Sequence, residues 1–358
     1  MTIFLNFAVN LFFYMVLNIC HRVLLAAALS FAVLLPASDV EAQTLVKANR
    51  QQSFDRNIPP GNYSGIAHIA GNRYAVVSDK SATDGFYVFD IDVDSLSGAI
   101  TDVRNEGFFG GGLKNRDAEG VAFLPDRQTV MVVGEADSRI EEYTIEGQPT
   151  GRSVSLEAGT GNCGYESLAF SSEHDLLWTC TENVLARDAY YADSLWHVPV
   201  LRLQGFDAEL RPVSQYAYRM DAPQTKRKGK YYAFGVSELL ALPDGKLLVL
   251  EREFNVPNSK LGASVTNKLY VVEPAQEFAI QSDRELDATV RFLPKRPVYS
   301  WVTRLGLFDF SLANYEGMCL GPRLADGNQC MILVADSQNR AAGVLRDWFK
   351  TIVLKTSK

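Results

Sequence analysis

"NRDAEGVAFLP" (115–125) sets a Glu-Gly pair in front of a short apolar run, and the chain repeats the arrangement. "CGYESLAF" stands at 163–170, "GVSELLAL" at 235–242 and "NYEGMCLG" at 314–321, while "NYSGIAHI" at 62–69 is a copy without the carboxylate. A turn and a second apolar run follow each head: "RYAVVSDK" (73–80), "TVMVVGEAD" (129–137), "LLWTCTEN" (176–183), "KLLVLERE" (246–253) and "CMILVADSQN" (330–339). Third runs come next, such as "GFYVFDIDV" (85–93) and "NKLYVVEP" (267–274), then weaker fourth ones, such as "AITDVRNEGFF" (99–109) and "VYSWVTRL" (298–305). Short runs rich in Val, Leu, Tyr and Phe, bounded by Gly, Asp, Asn and Pro, read as strands.

The unit is therefore a four-stranded meander, and the Glu-to-Glu steps from 119 to 166, 238 and 316 are 47, 72 and 78 residues. Repeats of this length with four strands each read as propeller blades. No long stretch has helical apolar spacing, so the chain is expected to be all-β, a β-propeller. Blade heads at 64, 119, 166, 238 and 316 predict five blades, with a sixth hidden in 274–315 as the alternative. The last blade has three strands before the chain ends, and "TLVKANRQQSF" (44–54) supplies a fourth that closes the ring.

The N-terminal stretch "HRVLLAAALSFAVLLPASDVEAQ" (21–43) has a basic start, an apolar middle and a small-residue exit. It predicts a signal peptide over 1–42, cut after Ala42, and a periplasmic or secreted propeller domain over 43–358 with no membrane span. An uncleaved anchor is the rival reading, although the apolar core is short for a span. Net charge is −7. That acidity speaks against nonspecific nucleic-acid binding, which needs a basic face. Export makes disulfides the default for Cys163, Cys180, Cys319 and Cys330, and pairs Cys163–Cys180 and Cys319–Cys330 would each flank one hairpin. A zinc site is the alternative, without any CxxC to support it.

First strands of propeller blades line the central channel, so Glu119, Glu166, Glu238 and Glu316 are expected to converge. Converging carboxylates bind a cation, share protons or pair with basic groups. Oxygen donors favour a divalent cation such as Ca²⁺. In the competing reading each Glu is a latch bonded to backbone amides of the next blade. Acids at the ends of the second strands form another set, Asp79, Glu135, Asp137, Glu182, Glu251, Glu253 and Asp336, with Lys80, Arg252 and Arg116 nearby. Of these, Asp79, Glu182, Glu251 and Asp336 are the expected supporting rim. A rim mixing acids and bases suits a metal and an anionic oxygen together. The chain has neither a G-x-S-x-G elbow nor an H-E-x-x-H pair.

The set "YSGIAHI … YAVVSD", "DAEGVAF", "YESLAF", "SELLALPDGKLLVLERE" and "YEGMCLG … LVADSQN" resembles the bacterial phytase-like propeller domain described as "esterase-like activity of phytase". The resemblance runs over roughly residues 45–355. It implies an exported protein and hydrolysis of a small-molecule phosphate monoester or phosphodiester. From their place at the blade heads, and not from a residue match to the family, Glu119 and Glu166 are expected to be catalytic with Arg116 and to hold the metal together with Glu238 and Glu316. A propeller lactonase or carboxylic esterase, and a non-catalytic binding propeller with structural Glu repeats, are the other readings. Ser64 departs from the repeat and leaves any Glu ring incomplete in the first blade.

Overall fold

Strands β7 (Ala118–Leu124) and β8 (Thr129–Gly134) are buried at every residue. Strands covered on both faces lose the alternation of polar and apolar residues, which is why these segments read as continuous apolar runs. The outer strand of the same sheet, β10 (Pro149–Ser155), has no buried residue. This gradient from buried to exposed recurs because each sheet stands edge-on to a common axis. The computed structural model describes residues 43–160, 164–191, 197–340 and 345–355. The expected signal peptide and its cut after Ala42 lie outside the described residues, as does Cys163.

Five antiparallel sheets result. Blade 1 is β3 (Tyr63–Ala70), β4 (Arg73–Ser78), β5 (Phe86–Val93) and β6 (Ile100–Phe109), and blade 2 is β7, β8, β9 (Arg139–Thr144) and β10. Blade 3 is β11 (Tyr165–Ser171), β12 (Leu176–Thr181), β13 (Val200–Phe206) and β14 (Pro212–Arg219). Blade 4 is β15 (Tyr231–Ala241), β16 (Leu247–Val256), β17 (Ser264–Val272) and β18 (Lys295–Arg304). Blade 5 joins β19 (Asn314–Arg323), β20 (Gln329–Asp336) and β21 (Trp348–Leu354) to the N-terminal β1 (Leu45–Ala48), paired Leu45 to Leu354. Short β2 (Gln52–Ser53) also pairs with β21. The two ends of the chain thus share one sheet and close a five-bladed propeller, as the repeat predicts.

Each blade-to-blade interface has its own apolar core. Val77, Phe86, Val121 and Tyr143 fill the gap between blades 1 and 2. Tyr63, Tyr74, Phe89, Ile332 and Phe349 fill the one between blades 5 and 1. Burying such side chains contributes about 1.5–3 kcal/mol each, so the ring is held mainly by these wedges. Segment 274–315 forms no sixth blade. Ile280, Leu286 and Val290 pack on Val200 and Ala217, covering the outer edge of blade 3, before the segment returns as β18.

The expected Cys319–Cys330 disulfide is corrected here, since both are buried free thiols; Cys180 is also a buried free thiol, and its expected partner Cys163 lies outside the described residues. Register sets Ile332, not Cys330, opposite Cys319, and the two thiols belong to different core clusters. Cys180 lies opposite Ser167, with Sγ 3.4 Å from its Oγ.

Candidate metal centre and active site

A bulge at the head of every inner strand decides which side chains enter the channel. Pairing of the first two strands skips one residue in each blade, at Ser64, Glu119, Glu166, Ser237 and Glu316. Extra residues of this kind re-aim side chains next to functional sites. The following position, Gly65, Gly120, Ser167, Glu238 or Gly317, lies where the inner strands crowd together. A Cβ on Gly65 would meet the Glu119 carbonyl at 2.5 Å, and one on Gly120 would meet the Leu168 amide at 2.6 Å.

The sequence pattern therefore misplaces blade 4 by one residue. Glu238 is not the partner of Glu119 and Glu166; Ser237 is. Glu238 accepts hydrogen bonds from the backbone amides of Leu168 (3.3 Å), in blade 3, and Leu239 (2.9 Å), and the Met318 amide of blade 5 also favours its charged form. Its Oε2 has no partner, and burial raises its pKa well above the carboxylate range. Glu238 is thus the latch that the competing reading anticipated.

The same shift applies to the second row. Backbone pairing aligns Asp79 with Asn62, Glu135 with Asp117, Glu182 with Gly164, Arg252 with Gly235 and Asp336 with Asn314. In blade 4 the rim position is Arg252 and not Glu251. Glu251 takes bonds from Tyr218 Oη (2.7 Å) and Lys295 Nζ (2.5 Å), away from the other acids. Arg252 is buried and donates to Glu182, Glu316 and, at 3.2 Å, Asn314 Oδ1.

Glu119 and Glu166 are less than a tenth exposed, at 6% and 8%, yet among the described residues neither has a hydrogen-bond partner. Burial and mutual repulsion raise the pKa of both well above the usual range: Glu119 feels Glu166, Glu316 and Asp79, and Glu166 feels Glu182 and Glu316 against the relief of Arg252. Burial lifts Glu316 to about 8 despite Arg252, and Asp336 to about 6 despite the Gln338 amide at 2.7 Å. One guanidinium does not neutralise this many carboxylates, so the mouth holds protons or calls for a cation.

Ligand atoms of Asp79, Asp117 and Glu119 lie within 4.8 Å of one another. Asp79 Oδ1 is buried and unbonded. Asp117 has φ 62°, a left-handed conformation costly for a non-glycine residue. It is clamped there by its carbonyl to the Glu135 amide (2.8 Å), by the Arg116 carbonyl to the Ala136 amide (3.1 Å) and by the Ala118 amide to Asn115 Oδ1 (3.2 Å). Lys80 Nζ lies 2.7 Å from both Asp79 and Asp117, on a side chain 54% exposed and free to swing away. An all-oxygen set with an orphaned acceptor and a displaceable lysine fits a hard divalent cation.

Arg116 is elsewhere. Its guanidinium is held by Asp84 (2.6 Å), Asp137 (3.2 Å) and the Arg139 carbonyl (3.0 Å), tying blade 2 to the Asp84 loop of blade 1. The structure so brings together Asp79, Glu119, Glu166, Glu182, Glu316 and Asp336, and leaves out Arg116, Glu238 and Glu251. Asp117 and Arg252 are the site residues that the pattern underweighted. A signal for Arg252 existed, since Ser237 to Arg252 is 15 residues, the same as Ser64 to Asp79.

The family described as Phytase-like, "Esterase-like activity of phytase", matches residues 58–338. No curated protein matches the chain. Similar solved structures include a luciferin-regenerating enzyme (TM-score 0.42, 10% identity, covering 87% of this chain and 98% of that one). A streptogramin B lyase is also similar (TM-score 0.37, 11% identity, 86% and 98%), as are the RRP9 WD40 repeats (TM-score 0.41, 8% identity, 88% and 100%).

Proposed function

The chain belongs to the phytase-like family, and we propose that it is an exported, metal-assisted hydrolase of phosphate monoesters or phosphodiesters. The observation that carries this reading is the meeting of Asp79, Asp117 and Glu119, with the buried Glu166, which takes no hydrogen bond among the described residues, near enough to act on Glu119.

A divalent cation, Ca²⁺ by donor type, would be held by Asp79, Asp117 and Glu119, and when bound supplies positive charge that polarises a phosphoryl oxygen and acidifies a water. Glu166 is the proton acceptor: it is buried, close enough to Glu119 that its charge raises the pKa of that neighbour, and free of hydrogen bonds among the described residues. Lys80, displaced from Asp79 and Asp117, meets an anionic oxygen of the ester at the rim. Arg252 keeps Glu182 and Glu316 in place and lowers the proton affinity of Glu166. With Arg116 committed elsewhere, Lys80 is the one cation of this set available to an anion. A carboxylic ester or lactone, which needs less positive charge, is therefore the second reading.

The test uses p-nitrophenyl phosphate, bis-p-nitrophenyl phosphate and p-nitrophenyl acetate, with and without chelator. Chelator-sensitive cleavage of a phosphate, lost in Glu119→Gln, is the expected result. Cleavage of the acetate alone would transfer the site to carboxylic esters, and no turnover of any of the three would leave a binding propeller.

A further inference from the structure

Beyond the carboxylate mouth, between blades 4 and 5, lies a cavity of about 520 Å³. Its wall is apolar: Phe254, Val256, Ala263, Leu305, Leu312 and Leu345. These residues form a cluster of their own, separate from the wedges that join the blades. A volume in this range suits a small-molecule ligand.

The exposed side chains of Tyr231 and Lys260 also border the cavity, and two further polar residues, Asn314 and Gln338, belong equally to the mouth. Asn314 accepts from Arg252 and donates to Glu316 Oε1 at 2.8 Å. Gln338 donates its amide to Asp336 and sits in a left-handed conformation, φ 49°, that turns it between the two spaces. The charged mouth and the apolar cavity therefore share a partition made of Asn314 and Gln338. Polar groups converging at one end of an apolar cavity orient a ligand that has a polar head and an apolar body. The 305–312 segment that supplies Leu305 and Leu312 also turns Leu307 (71% exposed) and Phe308 (98% exposed) to solvent, extending apolar surface outward from the same loop.

We propose that this cavity is a binding subsite for the apolar portion of an amphiphilic ester, an alkyl or aryl phosphate, whose head lies at the carboxylate mouth. The ligand class rests on the phosphate-ester reading above. A polyol carrying many phosphates is the opposite kind of ligand. It would need several free cations and would gain nothing from a wall of Phe, Val and Leu.

The experiment compares binding of octylphosphonate and methylphosphonate, two non-hydrolysable heads of the same charge, by calorimetry on the purified protein with Ca²⁺ present. Octylphosphonate should bind at least about tenfold more tightly, as expected if only two or so of its methylenes leave water. That preference should shrink to below about threefold in Leu312→Asn, and also in Leu305→Asn, a half-buried position less critical to folding, while methylphosphonate affinity is unchanged. Equal binding of the two phosphonates, binding of neither, or a preference that survives both substitutions in folded protein would overturn the proposal. Cleavage of p-nitrophenyl phosphate without any alkyl preference would leave the catalytic reading standing and remove the subsite. Alkyl preference without turnover would do the reverse.

Discussion

Blades 2 and 4 occupy equivalent places around the axis with the same backbone, yet they present opposite chemistry. Blade 2 puts Glu119 at its bulge and Glu135 at its rim; blade 4 puts Ser237 and Arg252 there. Blade 2 also has Gly120 at the crowded waist, where blade 4 has Glu238 bonded to amides of its neighbours. Glu119 of blade 2 takes no hydrogen bond among the described residues while Glu135 accepts one from the Gly164 amide (2.9 Å), whereas the charges of blade 4 serve to hold other residues. A repeat fold fixes where side chains arrive, and each blade can assign those places separately to binding or to support.

The sharpest way to break the comparison is to act on blade 2. Glu119→Gln should lower phosphate-ester turnover by about 10²-fold or more, in the range of lost charge or acid–base groups, with little loss of stability. Steady-state rates with and without Ca²⁺ check this, and a variant that keeps full activity would move the chemistry off blade 2.

Next in size is Arg252→Met, which leaves Glu182 and Glu316 buried without their guanidinium. Breaking a buried pair from one side costs about 3–5 kcal/mol. The cost should be greatest near pH 9 and smaller near pH 5, where the carboxylates take up protons instead. Urea midpoints at both pH values measure it.

Cation binding should come next. Saturating Ca²⁺ at a hundred times its dissociation constant contributes about 2.7 kcal/mol, seen as a rise in Tm that Asp79→Asn and Asp117→Asn abolish and Glu238→Gln does not. The sign of the pH effect sharpens the same point. Asp336, at about 6, and Glu316, at about 8, hold protons more tightly folded than unfolded. Their contribution is present in full below the ordinary carboxylate range and lost as pH rises through 6 and then 8. The Tm in chelator should fall over that interval, and Ca²⁺ should flatten the fall.

The smallest effect belongs to Glu238→Gln. A carboxyl protonated by burial is replaced by an amide of the same shape that still accepts from Leu168 and Leu239, so the change should stay below about 1 kcal/mol. A loss several times larger would mean that Glu238 is ionised and shares the mouth's cation.

Much of this was legible in the chain itself. The apolar runs, their turn residues and the five near-copies determine an all-β propeller and favour five blades over six, because strands buried on both faces must be continuously apolar and a repeat must bury its faces on its neighbours. They also place carboxylates near the heads of four inner strands, of which register leaves three at the bulge. Only the tertiary structure decided which of those carboxylates are unsatisfied. A bulge shifts the count by one residue, so "GVSELLAL" and "LERE" look like a Glu head and an acidic rim while presenting Ser237 and Arg252. It likewise took the fold to bring Asp79 of one blade beside Asp117 and Glu119 of the next, to turn Arg116 into a tie between blades, and to leave Cys319 and Cys330 unbonded in adjoining strands. Spacing along the chain records what each blade contains, whereas register and the closure of the ring set what faces what.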